Sequence, residues 1–383
     1  GGQKHRRFPP PMAPPAGSPL FRGPLSAPAR HRRPRDLGGA LGHPAEAVAP
    51  PGARRDDVRR AHSESFVEAV EAAPAGTAPP QAREYGLDTG DVPVFDGMDA
   101  AARGLVGGTL HGAQLIADGR ARRVLQFGGG LHHAREDRAS GFCVYNDLSV
   151  AIDALRAHDL RVAYVDVDVH HGDGVQFLHY DDPAVLTLSL HETGRALFPG
   201  TGGVQEVGRG LGKGFSLNVP LAPFTESDSY LDAFERVVPY ALSHFQPDVV
   251  VAQCGADAHF NDPLADLLLT THAYEQIFRR LLALADDHAD GRLLCTLGGG
   301  YRLDGVSRIW ALLALLMRGH DLPEALPEDY RARWDARLDD PLTPTLHDRT
   351  RTFEVERRAS IEAQNRRASE QAMEQVAAHW HHA

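Results

Sequence analysis

Residues 161–174 read RVAYVDVDVHHGDG. The first half is almost continuously apolar, as a strand is when both faces of its sheet are covered, and the second half gathers aspartates and histidines at what would be its carboxyl end. With the strand taken as 161–169, five more runs share that character: 124–127, 184–190, 215–219, 248–253 and 293–297. Between them lie stretches with helical spacing, at 98–117, 146–158, 227–244, 272–287 and 306–317. Strands alternating with helices predict an α/β fold with a largely parallel sheet and helices on both faces. No internal repeat of fixed period interrupts the pattern.

Composition bounds the rest. A chain of 383 residues has room for one large domain with extensions or two ordinary ones. Its balance of 42% hydrophobic to 24% charged residues is that of a soluble globular protein rather than a disordered or collagen-like one. The longest apolar stretch, 309–317, is fenced by Arg308 and Arg318 and falls well short of the roughly 20 residues a membrane span needs. The opening GGQKHRRFPPP has basic residues but no apolar segment after them, so no secretory signal is read and a cytoplasmic location is expected. Cys143, Cys254 and Cys295 are far apart within apolar segments, which argues against a disulfide framework or a thiolate metal site. With 21 histidines available, a metal would take imidazole and carboxylate ligands.

The net charge of −11 is unevenly spread. Residues 1–60 carry 12 Lys/Arg against 4 Asp/Glu, whereas 61–383 carry 28 against 47. An acidic body disfavours direct nucleic-acid binding and suits a cationic substrate, although plain solubility would also explain it. Residues 8–51 hold 12 of the 27 prolines, so 1–52 reads as a Pro/Arg-rich arm, divergent or disordered. A folded body is expected over 53–320. A polar, partly helical tail should follow over 321–383, its helix spanning about 353–378 and facing solvent or a partner.

In open α/β sheets, ligands bind beyond the carboxyl ends of the strands. Those ends here are GGGLHHA with His132 and His133, DVHHGDG with Asp168, His170, His171 and Asp173, CGAD ending at Asp257, and GGGY ending at Tyr301. Asp168-x-His170 on an extended segment would point both side chains to one side. With Asp257 they make three protein ligands and leave a position open for water, as catalytic zinc sites do. A buried hydrogen-bond network would be the alternative. A metal-activated water needs a base, and the leaving amine needs an acid; His132 and His133 could supply both, each oriented by a carboxylate. Asp166 and Asp173 are at hand, although Asp173 between two glycines could equally serve a turn. Tyr301, after three glycines, could reach a substrate carbonyl and stabilise the developing oxyanion. Neither glycine run has dinucleotide-loop spacing.

The segments LHHA (131–134), SGFC (140–143), YVDVDVHHGDG (164–174), SLHETGRALFPGTG (189–202), CGAD (254–257) and LGGGY (297–301) resemble the zinc-dependent histone deacetylase family. The wording of 189–202 is similar to its bacterial acetoin-utilisation branch. The resemblance covers about 53–320 and implies an arginase-deacetylase fold with an eight-stranded sheet. It implies zinc on Asp168, His170 and Asp257, with ferrous iron compatible with the same ligands. It makes His132 and His133 the acid-base pair, oriented by Asp166 and Asp173, and gives Tyr301 the acetyl carbonyl. Phe142 and Phe198 match the walls of an acetyl-lysine tunnel, Gly141 and Gly299 match substrate-binding positions, and Asp91 matches the rim carboxylate. A structural potassium or sodium ion would lie near Asp166, Asp168, His170, Ser189 and Leu190. The family's opening G-H-P-x-x-P-x-R segment finds no counterpart in FPPPMAPPAGSPLFRGPL.

The activity implied is hydrolysis of the acetamide of N-acetyl-lysine in proteins or peptides, releasing acetate. Acetylpolyamine hydrolysis on the same fold and non-catalytic acetyl-lysine binding are the competing expectations. A dimanganese ureohydrolase is disfavoured because Asp257 is followed by Ala258, His259 and Phe260, with no Asp-x-Asp pair. No oligomeric state is read from the sequence.

Overall fold

The computed structural model describes residues 48–73, 80–335 and 342–380. Six strands pair there: β1 (Arg123–Gln126), β2 (Val162–Asp166), β3 (Val185–Glu192), β4 (Ser216–Leu221), β5 (Val249–Gln253) and β6 (Leu293–Thr296). All the pairings are parallel, in the order β1-β6-β5-β2-β3-β4. Each strand coincides with one of the six apolar runs. The eight strands implied by resemblance are corrected to six among the described residues, for a simple reason. Upstream of β1 the described chain is spent on helices and turns, and downstream of β6 on helices and coil. The arm expected at 1–52 lies almost wholly outside the described residues.

Ten helices accompany the sheet among the described residues: α1 (Arg55–Val58), α2 (Glu64–Glu71), α3 (Met98–Ala117), α4 (Asp147–Arg156), α5 (Asp173–Leu178), α6 (Ser227–Phe245), α7 (Thr271–His288), α8 (Leu303–Met317), α9 (Glu328–Asp335) and α10 (Arg358–Trp380). All five residues of β2 are buried because alternate side chains feed two cores. Ala163 and Val165 join residues of α6, α7 and α8, whereas Val162 and Tyr164 join residues of α3 and α4. Fully burying each such valine is worth about 1.5–3 kcal/mol. A third cluster packs Phe66, Val67 and Val70 of α2 with Val106 and Tyr145 and takes in Ala82, Leu87 and Val92 of the 80–97 segment.

β2 and β5 are neighbours, yet the chain leaves β2 for β3 and β4 on one side and returns to β5 on the other. This is a topological switch point, where a crevice opens at the carboxyl ends. The loops after β2 and β5 carry Asp168 and Asp257 into it.

The polar C-terminal helix is present as α10, but it is not solvated on every side. It packs on edge strand β4 and on α6, burying Asn365, Ala368, Ser369, Ala372 and Val376. Asn365 accepts from the Ala222 amide (2.9 Å) and donates to Thr225 Oγ1 (2.7 Å) and Ser229 Oγ (2.9 Å). The Trp380 indole donates to the Gly214 carbonyl at 2.9 Å. Covering an edge strand removes a template for unwanted pairing.

Candidate active site

β2 stops at Asp166, three residues short of the 161–169 expected, so Asp168 and His170 stand in a bend rather than on a strand. The cause is local. The Asp168 amide donates to Asp166 Oδ1 and the His170 amide donates to Asp168 Oδ1, both at 3.0 Å. These side-chain bonds compete with the sheet ladder and turn the chain. His170 Nδ1 is thereby brought to 3.2 Å from both Asp168 Oδ1 and Asp257 Oδ2.

The other carboxylate oxygens are pinned. Asp168 Oδ2 accepts from Gln253 Nε2 (2.7 Å) and the Gly299 amide (2.8 Å), and Asp257 Oδ1 accepts from the Val169 amide (2.9 Å). All three side chains are buried, with one donor atom from each within 4.8 Å of the other two. Burial pulls His170 down, but its bonds to Asp168 and Asp257 prevail and push it up to about 10. The two buried carboxylates favour positive charge between them, either a proton on His170 or a metal ion that displaces it. Such a pocket of N and O donors calls for a cation and fits the Asp-His-Asp metal set that the spacing suggests.

His132 and His133 face this cluster together because the chain turns there, with the His132 amide bonded to the Gly130 carbonyl at 3.0 Å. Their ring centroids are 4.0 Å apart. His132 Nδ1 lies 2.7 Å from Asp166 Oδ2, and His133 Nδ1 lies 2.7 Å from Asp173 Oδ1. Asp173 is no helix cap; its second oxygen accepts from Arg135 Nη2 at 2.7 Å. The two imidazoles are driven apart electrically. Burial lowers His132, but the charges of Asp166 and Asp168 overcome it and push the ring up to about 9. Burial, then the positive charge on His132, pulls His133 down to about 4 against its bond to Asp173.

Two aromatic rings stand over the cluster. Phe198, 44% exposed, has its ring centroid 4.9 Å from that of His133 and 6.4 Å from that of His170. The Phe142 ring lies 5.8 Å from that of Tyr301. Between them, Gly141 adopts φ +53, and a Cβ there would meet His133 Cδ2 at 2.4 Å and Phe198 Cε1 at 2.9 Å. At Gly299 a Cβ would meet Asp257 Oδ2 at 2.0 Å. Asp91 accepts from the Gly141 amide at 2.8 Å, so it anchors the loop that presents Phe142. Of the candidate monovalent-cation residues, Asp166 and Ser189 are register partners on β2 and β3. Ser189 Oγ itself lies 2.9 Å from His191 Nδ1.

Four supporting residues have no functional reading in the sequence. Gln253 pins Asp168, and its signal is a polar residue closing the otherwise apolar strand VVVAQ. Asp262 accepts from the Tyr301 amide at 2.7 Å and so steadies the residue after three glycines. Tyr164 donates to Asp166. Asp147 accepts from the amides of Gly130 (3.1 Å) and Leu131 (2.7 Å), fixing the loop of the histidine pair. The last three look like routine polar or core residues in sequence. The other histidine of HHGDG, His171, turns away from the cluster toward Thr201 Oγ1 at 2.8 Å.

The family model described as "Histone deacetylase domain" matches residues 30–317, starting ahead of the boundary at 53 that the motifs support. The acetoin utilization protein AcuC of Bacillus subtilis (strain 168) is 46% identical over 292 residues, covering 76% of each chain. The protein of the same name from Staphylococcus aureus (strain MRSA252) is 36% identical over 85% of each. Among solved structures, an HDAC homolog complexed with SAHA superposes with a TM-score of 0.81 at 27% identity, covering 91% of this chain and 95% of that one. An HDAC homolog from Aquifex aeolicus gives 0.78 at 27% identity, covering 90% and 94%.

Proposed function

The chain belongs to the histone deacetylase family, and from that premise we propose that it hydrolyses the acetamide of N-acetyl-lysine in protein or peptide substrates, using zinc held by Asp168, His170 and Asp257. The observation that carries this reading is a pair of His–Asp dyads, one imidazole neutral and one charged, set against a buried cluster of cation-seeking donors beneath two aromatic rings. An open approach between aromatic walls suits a four-carbon apolar stem, and the acidic body suits the cationic surface around a lysine. The relative with bound SAHA adds support by likeness.

Zinc in this donor set would polarise the acetyl carbonyl and make water acidic enough to attack near neutral pH. The chain's own groups do the rest. His133 is neutral, and with Nδ1 on Asp173 its Nε2 lone pair is left to take a proton from the attacking water. A nearby dication would keep it neutral. The same proton then passes to the lysine nitrogen as the C–N bond breaks, so acetate and free amine leave with atoms balanced. His132, held charged by Asp166, stabilises negative charge developing on the substrate. The Tyr301 hydroxyl donates to the tetrahedral oxyanion, and Asp262 fixes its backbone for that task. Gly141, Phe142 and Phe198 wall the stem, Asp91 orders that wall, and Gly299 leaves room at the cluster's carboxylates. The structural potassium or sodium ion expected near Asp166, Asp168, His170, Ser189 and Leu190, and action in the cytoplasm, belong to the same reading.

The test is acetate release from an acetyl-lysine peptide and from an acetylpolyamine by zinc-loaded protein. Peptide turnover should dominate and fall about 100-fold to 1,000-fold in Tyr301→Phe with metal content unchanged. Turnover of the polyamine alone, or peptide binding without acetate release, would replace this reading with one of its competitors.

A further inference from the structure

A second group of metal-binding side chains lies at the start of α7. His272 and Glu275 are three residues apart, on one face of the helix's first turns, and His347 reaches them from the 342–348 segment. One donor atom from each lies within 4.8 Å of the other two. We propose that His272, Glu275 and His347 form a second divalent transition-metal site, distinct from the Asp168 cluster, that ties the 342–348 segment to α7.

The two chain segments that carry the donors are fastened to each other. Asp348 Oδ2 accepts from the Thr271 amide (2.8 Å) and hydroxyl (3.0 Å), and the Asp348 amide donates to Thr271 Oγ1 at 2.7 Å. That reciprocal lock fixes the residues beside His347 and His272. Glu275 is oriented by Arg279, which donates to Oε1 at 2.8 Å and leaves Oε2 3.1 Å from His347 Nε2. The His272 and His347 rings stack at 4.3 Å with an angle of 11°. Because each lone pair lies in its ring plane, binding one ion would tilt the rings out of parallel.

Two imidazoles and one carboxylate select zinc, nickel or cobalt over magnesium or calcium. His272 is exposed, so water can complete the coordination.

Zinc titrated into metal-stripped full-length protein tests the proposal, with cobalt absorption as a second readout. The intact chain should take two equivalents. His272→Ala should take one, its second equivalent lost or weakened at least about tenfold, since even outer-sphere losses cost that much. Zinc should raise the thermal midpoint of the intact chain beyond that of His272→Ala, while deacetylase turnover stays the same. Glu275→Gln repeats the comparison at a second ligand. Both variants keep His379, His381 and His382, so metal held there cancels. In Asp168→Ala the second equivalent should persist, which separates this site from the fate of the proposed active site. Equal stoichiometry and affinity in the intact and His272→Ala chains would overturn the proposal.

Discussion

Gly141 is the residue on which the approach to the active site turns. Its φ of +53 is costly for a side chain, and the space a Cβ would occupy is already filled by His133 and Phe198. Gly141→Ala should push the His133 ring or the Phe198 wall aside by a fraction of an ångström to an ångström. Displacements of that size at a reacting centre cost about 100-fold, so kcat/KM on an acetyl-lysine peptide should fall by roughly that factor. Stability should fall too, by about 1–2 kcal/mol, because a Cβ is disfavoured in the left-handed region, so kcat/KM is compared where both proteins are folded. A variant with wild-type kcat/KM would show that the tunnel is wider than these contacts imply. The motif SGFC marks the position in the sequence, but the reason for a glycine there is a meeting of residues 133, 141 and 198, which no local pattern reveals.

At the scale of elements, α10 illustrates how a polar helix can be part of a fold. Its outer face is charged, and its inner face relies on small residues and one asparagine instead of an apolar stripe. Asn365→Ala would orphan the buried Ala222 amide and remove bonds to Thr225 and Ser229. Leaving a buried donor unsatisfied costs about 1–3 kcal/mol, and the denaturant midpoint should fall by that energy divided by an unchanged slope m. No change would mean that α10 detaches readily from β4. Its run of charged residues made the helix itself legible, whereas its docking was hidden because Ala368, Ser369 and Ala372 carry little hydrophobic signal. The strands were the opposite case. Each of the six apolar runs is a strand, and the count of eight came from resemblance, not from the residues.

For the whole molecule, burial of neutral imidazoles makes one identifiable contribution to the response to acid. His62, His171 and His179 are each pulled down to about 4, chiefly by burial. His62 shows why charging is resisted: Nδ1 lies 2.8 Å from the Arg135 carbonyl and Nε2 accepts from the Asn146 amide at 2.9 Å, so a second ring proton would face a donor. In the unfolded chain these rings bind protons as the pH falls through about 6.5. The stability these rings contribute is therefore present above 6.5 and lost progressively as the pH falls toward 4. Between pH 7.5 and 5 the loss is on the order of 2 kcal/mol for each ring. Asp153, Glu192 and Asp262, each pushed up to about 7 by burial, act in the opposite sense, so the histidine contribution is read as a difference. The stability gap between the intact chain and His62→Gln, from urea unfolding, should shift by about 2 kcal/mol in favour of the variant between pH 7.5 and 5, and a gap that does not change with pH would contradict this account.

The sequence by itself determined the strand–helix alternation, the parallel sheet and the chemical cast at its carboxyl edge, because apolar periodicity and strand-end chemistry are local properties of the chain. Only the tertiary structure decided how that cast is assembled. The 132–133 turn aims both imidazoles at one cluster, and β5 delivers Asp257 beside a bend that the aspartates after β2 themselves create. Distant neighbours then set which imidazole is charged and which is neutral. Those features depend on desolvation and on distances between residues up to 131 positions apart, such as Gly299 on Asp168, and are fixed only when the strands are brought side by side.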